Sequence, residues 1–170
     1  AYWSKVARVI AKHYPNHKIV MLPQTSLQGK ALDDKYLFQD IQKHCPEIDI
    51  FVSDDIYSSD IQQQIIRGAD AVFGARYHTI VFAINNNVPF VSLSYEHKMS
   101  GLLEELSLQD EMIDITKLFT SEEENNYVLE QLDRLIPNIH RSPTGQEVAK
   151  LKAAGAFDVF YRRIESVECS

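Results

Sequence analysis

The stretch GADAVFGARYHTIVFAINNNVPFVSLS, residues 68–94, decides the fold. Ala71 to Gly74 is a short apolar run that predicts a strand, and Val88 to Leu93 predicts another. Between them, Thr79 to Ile84 carries an apolar face at Ile80, Val81 and Ile84 and predicts a helix, closed by Asn85-Asn86-Asn87. Two strands joined by a helix pair in parallel, because a crossover helix returns the chain to the same edge. A parallel sheet brings the carboxyl ends of its strands to one rim. Ligands bind at that rim, where helix amino termini also point free backbone donors.

The same alternation extends outward in both directions. Upstream, an amphipathic helix from Ala1 to Lys12 uses Val6, Val9 and Ile10, and a strand from Lys18 to Leu22 is stopped by Pro23. A helix capped by Asp33 and faced by Tyr36, Leu37 and Ile41 ends at Pro46. A strand follows from Ile48 to Val52, then a helix that Ser58 or Ser59 caps, with Ile61, Ile65 and Ile66 inside and Gly68 closing it in the left-handed position. Downstream come a helix from Met99 to Leu106, a strand from Met112 to Ile115, and helices from Ser121 to Leu135 and from about Gly145 to Ile164. The predicted class is therefore α/β, a doubly wound, mostly parallel sheet flanked by helices, in one domain spanning residues 1–170.

Composition narrows the function. The formal net charge of −7 argues against a nucleic-acid partner, which calls for a basic surplus to neutralise phosphates. No apolar run is long enough to predict a transmembrane segment, and the expected location is cytoplasmic. The two cysteines, Cys45 and Cys169, have no spacing that points to a metal site or a disulfide framework. Lys5, Arg8, Lys12, Lys18 and Lys30 stand in a segment without a single acid, 1–32. Such a segment is either a solvated face or a surface turned toward an anion or an acidic partner domain.

The predicted rim is made by Gln24-Thr25-Ser26, Ser53-Asp54-Asp55, Ala75 to His78, and Ser94 to Lys98. Arg76 at a strand-to-helix turn can grip a phosphate or carboxylate bidentately, helped by the helix amino terminus. Histidine is the side-chain type suited to giving or taking a proton near neutral pH, which makes His78 a candidate acid or base. The same two residues also fit a plain ion pair and a helix cap. Tyr95 and Lys98, after the adjacent strand, bring a phenol and a second cation to the same rim. Asp54-Asp55 lacks a third ligand and reads as turn chemistry, and Asp33-Asp34 reads as a helix cap.

Gly68-Ala69-Asp70 to Gly74, Arg76-Tyr77-His78, Val88-Pro89 to Ser92 and Tyr95-Glu96-His97-Lys98 together resemble the core signature of the polysaccharide pyruvyltransferases. Leu22-Pro23-Gln24-Thr25 is similar to that family's earlier Pro-Gln loop. The resemblance is strong over about Ile65 to Leu108, extends back to Lys18, and fades in the last helices. It implies a Rossmann-like domain, the carboxyl-terminal half of a two-domain transferase of the GT-B type, whose amino-terminal domain is the expected partner. It also implies phosphoenolpyruvate as donor, a sugar of a bacterial polysaccharide or its precursor as acceptor, a ketal as product, and no resident cofactor or metal.

Carried over by motif, the resemblance makes Arg76 and His78 catalytic. It puts Arg76, Lys98, Tyr95, Gln24, Thr25 and Ser26 at the substrate. Ser53-Asp54-Asp55 departs from the family, which often has Arg-Glu there. The chain opens within a helix and without an initiator methionine, so an excised half with weak or absent turnover of its own is expected. Two other functions suit the same architecture: a nucleotide-sugar-dependent glycosyltransferase domain and a non-catalytic binding module.

Overall fold

The computed structural model describes residues 2–24 and 34–139. Thr25, Ser26, Asp33 and the helix predicted from Gly145 to Ile164 lie outside the described residues. The first half runs α1 Tyr2–His13, β1 Ile19–Met21, α2 Asp34–His44, β2 Ile50–Val52 and α3 Ser59–Arg67. The second runs β3 Val72–Gly74, α4 Tyr77–Asn85, β4 Phe90–Ser94, α5 His97–Glu105, β5 Met112–Asp114 and α6 Glu122–Leu135.

Every strand pair is parallel, as the alternating order requires. The ladders divide into a two-stranded sheet, β1-β2, and a three-stranded one, β3-β4-β5. The architecture is thus the open, Rossmann-like α/β type that the sequence predicts, with its backbone ladder interrupted between β1 and β3. Side chains bridge that interruption. Tyr14 meets Phe73 edge-on with centroids 6.1 Å apart, and two polar contacts described below join the strands' far ends.

Alternation along the strands sends successive side chains to opposite faces. On one face α1 and α6 cover Val91, Leu93 and Ile113 with Val6, Val128 and Leu132. On the other, α4 and α5 cover Val72 and Phe90 with Ile80, Ala83, Met99 and Leu103. All five residues of β4 are buried, as suits the central strand of a sheet covered on both sides. A third cluster, Ala7, Ile41, Cys45 and Ile50, fastens α1 and α2 to the small sheet.

Four local expectations change. Tyr36 and Leu37 are 44% and 38% exposed, and α2 instead docks through Phe38, Ile41 and Cys45, at i, i+3 and i+7. In α3, Ile61 is exposed while Gln62 is buried, its amide donating to the Tyr57 carbonyl at 2.7 Å. Gly68 has φ −86° and ψ −1°, so α3 closes right-handed, whereas Asn87 after α4 takes the left-handed conformation at φ 62°. Ser58 caps α3 by position only, but the Ser121 hydroxyl accepts from the Glu124 amide at 3.1 Å and caps α6 fully.

Tyr2 gives the fold a testable alkaline limit. Its hydroxyl donates to the Asn125 carbonyl at 3.1 Å, its ring packs edge-on against Trp3 and Phe119, and burial pushes its pKa to about 12. A phenol raised above its unfolded value of about 10 stabilises the fold fully below that pH. The contribution is lost as pH climbs through the folded value. Thermal melts between pH 8 and 12 should therefore fall more steeply for the parent than for Tyr2→Phe, and equal slopes would show that Tyr2 does not couple ionisation to unfolding.

Candidate functional site

The chain leaves β3 at Gly74 and turns into α4 within two residues. Arg76 is extended, with φ −94° and ψ 136°, and occupies the N-cap position without a side-chain cap on the first turn. The helix starts at Tyr77, two residues before the predicted Thr79. His78 is accordingly an exposed first-turn residue rather than a cap. Its ring lies edge-on to Tyr77, centroids 5.9 Å apart, and tilted over Phe82, 6.1 Å away and one helical turn later.

Arg76 does pair with an acid, and the acid is Asp34. Arg76 Nη2 donates to Asp34 Oδ1 at 2.9 Å, with the two side chains 43% and 16% exposed. The hydrogen bond it donates to Asp34 is the main reason that the guanidinium holds its proton more firmly than usual, and Tyr95 adds a smaller contribution. Tyr95, just past the end of the neighbouring strand β4, is near enough to act on the guanidinium electrostatically.

Lys98 joins the group by another route. Its Nζ stands 4.2 Å from the centroid of the Tyr77 ring, a cation–π contact from α5 to α4. Tyr77 therefore touches both His78 and Lys98. The N-cap of α5, Glu96, is again extended and makes no side-chain cap, so two helix starts with uncapped first turns follow adjacent strands. The Ser94 hydroxyl donates to the Glu96 carbonyl at 3.3 Å and shapes that turn.

Gln24 closes the rim on the β1 side. Its backbone amide donates to Asp34 Oδ2 at 3.1 Å, and its side-chain amide donates to Thr79 Oγ1 at 2.5 Å. The structure brings Gln24, Arg76 and Tyr95 into one polar group, and Lys98, Tyr77 and His78 into a second beside it. Thr25 and Ser26 lie outside the described residues. The Ser53-Asp54-Asp55 turn is built by the Ser53 hydroxyl, which donates to the Asp55 carbonyl at 2.9 Å and accepts from its amide at 3.2 Å. Lys35 pairs with Asp54 at 2.8 Å and, by that hydrogen bond first, holds its carboxyl below the usual range.

Sequence reasoning missed Asp34 as the partner of Arg76 and Thr79 as the partner of Gln24. Separations of 42 and 55 residues leave no local pattern to read. Among the described residues no three His, Cys, Asp or Glu side chains come together as a metal site would need. No described helix is long and apolar enough to cross a membrane.

The basic opening segment points elsewhere. A cleft of about 660 Å³ lined by Arg8, Lys12, His17, Lys18, Glu47 and Asp49 opens at the amino ends of β1 and β2, away from the rim. Its cations are already matched: Arg8 with Glu47 at 2.7 Å, Lys12 with Asp133 at 2.9 Å and Lys18 with Asp49 at 3.5 Å. Arg8, Lys12 and Lys18 are thus paired within the chain, and Lys30 lies outside the described residues.

Comparison with known proteins gives one family. A family model described as polysaccharide pyruvyl transferase matches residues 2–97, more than half of the chain. The matched segment contains Gln24, Asp34, Arg76, His78 and Tyr95 and stops one residue short of Lys98. No solved structure matches the chain.

Proposed function

The chain belongs to the polysaccharide pyruvyl transferase family, and on that footing we propose that it binds phosphoenolpyruvate and serves the transfer of its pyruvyl group to a sugar of a bacterial polysaccharide or its precursor. The observation that carries this reading is Arg76, which Asp34 holds at 2.9 Å at the uncapped start of α4. A guanidinium fixed there, with backbone amides beneath it and Lys98 one helix away, matches a small doubly charged donor.

In this mechanism Arg76 and Lys98 hold the phosphate and carboxylate. Protonated His78 delivers a proton to the methylene carbon, which becomes a methyl group and leaves the adjacent carbon electron-poor. One sugar hydroxyl adds to that carbon and gives up its proton. Phosphate departs with the electrons of its carbon–oxygen bond, and the second hydroxyl adds with loss of its own proton. The products are a cyclic ketal and inorganic phosphate. A second domain supplies the base for the hydroxyls and the acceptor's main contacts.

Isothermal titration of the chain with phosphoenolpyruvate, and separately with nucleoside diphosphates, tests the donor. Phosphoenolpyruvate is expected to bind and the diphosphates to give no heat above dilution. The reverse result would replace the reading with that of a nucleotide-sugar glycosyltransferase.

A further inference from the structure

We propose that Asp34 is a positioning residue, which orients Arg76 for the incoming anion by closing a four-residue clamp across the gap between β1 and β3. The inference rests on the reading of Arg76 as the donor's grip and adds to it the residue that sets the grip's geometry.

The clamp is a ring of contacts. Asp34 Oδ1 accepts from Arg76 Nη2 at 2.9 Å, and Asp34 Oδ2 accepts from the Gln24 backbone amide at 3.1 Å. The Gln24 side chain then donates to Thr79 in the first turn of α4, the helix that Arg76 itself caps by position. The ring thus joins the end of β1, the start of α2 and the start of α4. It does so where the two sheets exchange no ladder hydrogen bonds.

Three features suit Asp34 to this task. It is the first residue of α2, where the helix amino terminus favours a carboxylate. Phe38, Ile41 and Cys45 pack α2 against the small sheet, so the carboxylate projects from a fixed base. At 16% exposure it is also the more enclosed member of the pair, while Arg76 keeps 43% of its side chain open. A guanidinium has five donors, and one nitrogen engaged by Asp34 leaves further donors for a planar anion. Holding that side chain in place beforehand removes an ordering cost that binding would otherwise carry.

The sign of the effect separates positioning from charge. Removing a carboxylate makes the site more positive, which by itself would tighten an anion. Loss of positioning does the opposite.

The experiment compares the parent chain with Asp34→Asn and Arg76→Ala. Asp34→Asn preserves shape and an acceptor for Gln24. In titrations with phosphoenolpyruvate it is expected to weaken binding about tenfold, the worth of one hydrogen bond between charged groups. A ligand-free measurement runs beside it: phenylglyoxal labelling of Arg76, read by peptide mass spectrometry. Release of the guanidinium is expected to speed labelling about threefold or more in Asp34→Asn. Unchanged labelling would overturn the clamp regardless of any ligand. Phosphoenolpyruvate binding that stays equal or tightens in Asp34→Asn, with binding lost in Arg76→Ala, would overturn the positioning role and leave the donor site standing. Parental binding in Arg76→Ala would instead bring down the reading of Arg76 itself.

Discussion

On the proposed function, replacing His78 with alanine is expected to lower pyruvyl transfer by about a hundredfold to ten-thousandfold, the usual worth of a general acid. Phosphoenolpyruvate affinity should stay within a few fold. The separation follows from where the groups sit. The anion's charge is assigned to Arg76 and Lys98, and neither depends on the imidazole for its place: Arg76 is held by Asp34, and Lys98 rests on Tyr77. His78 is exposed in the first turn of α4, supported from the side by Tyr77 and Phe82. Its removal leaves the buried face of that helix, Ile80, Ala83 and Ile84, intact. A variant that keeps kcat would end the general-acid role. A variant that keeps kcat and loses donor affinity would make His78 a binding residue.

Much of this arrangement could be read from the chain, because the relevant signals are local. Strand, tight turn and helix in residues 71–87 predict the rim, and the position of Arg76 at its turn follows from the length of the apolar run alone. Tyr95 and Lys98 follow from the next repeat of the same unit. Helix starts were less legible. Arg76 and Tyr77 are not favoured capping types, so nothing marked Tyr77 as the first helical residue. The buried face of α2 is hard to read for a related reason. Tyr36, Leu37, Phe38 and Ile41 are all apolar, and only the docking of α2 on β1 and β2 decides that Phe38 and Ile41 go inside. Contacts such as Asp34 with Arg76 are tertiary in origin. An aspartate that opens a helix satisfies every local criterion for a cap, and its second task appears only when β3 lies beside β1.

Gly74→Ala is expected to destabilise the chain by about 1 to 3 kcal/mol, the cost of overpacking a close contact. The reason is space, since Gly74 does not occupy the left-handed region that favours glycine. A Cβ built at Gly74 would lie 2.8 Å from Thr79 Cγ2 and 3.2 Å from Thr79 Cβ, with Ile80 Cδ1 at 3.5 Å. Thr79 cannot retreat freely, because its hydroxyl accepts from Gln24 and its backbone belongs to the first turn of α4. The first turn must therefore lift, and Arg76 moves with it. The substitution should weaken phosphoenolpyruvate binding as well as stability, although Gly74 touches no ligand in the proposed site. Thr79→Ser provides the control, since it removes Cγ2 and keeps the hydroxyl for Gln24. Combined with Gly74→Ala, it should return most of the lost stability in urea unfolding and most of the lost affinity. A Gly74→Ala chain with the parent's unfolding midpoint would show that α4 does not need the close approach. A double variant no better than the single one would place the cost at Thr79 Cβ or Ile80 instead.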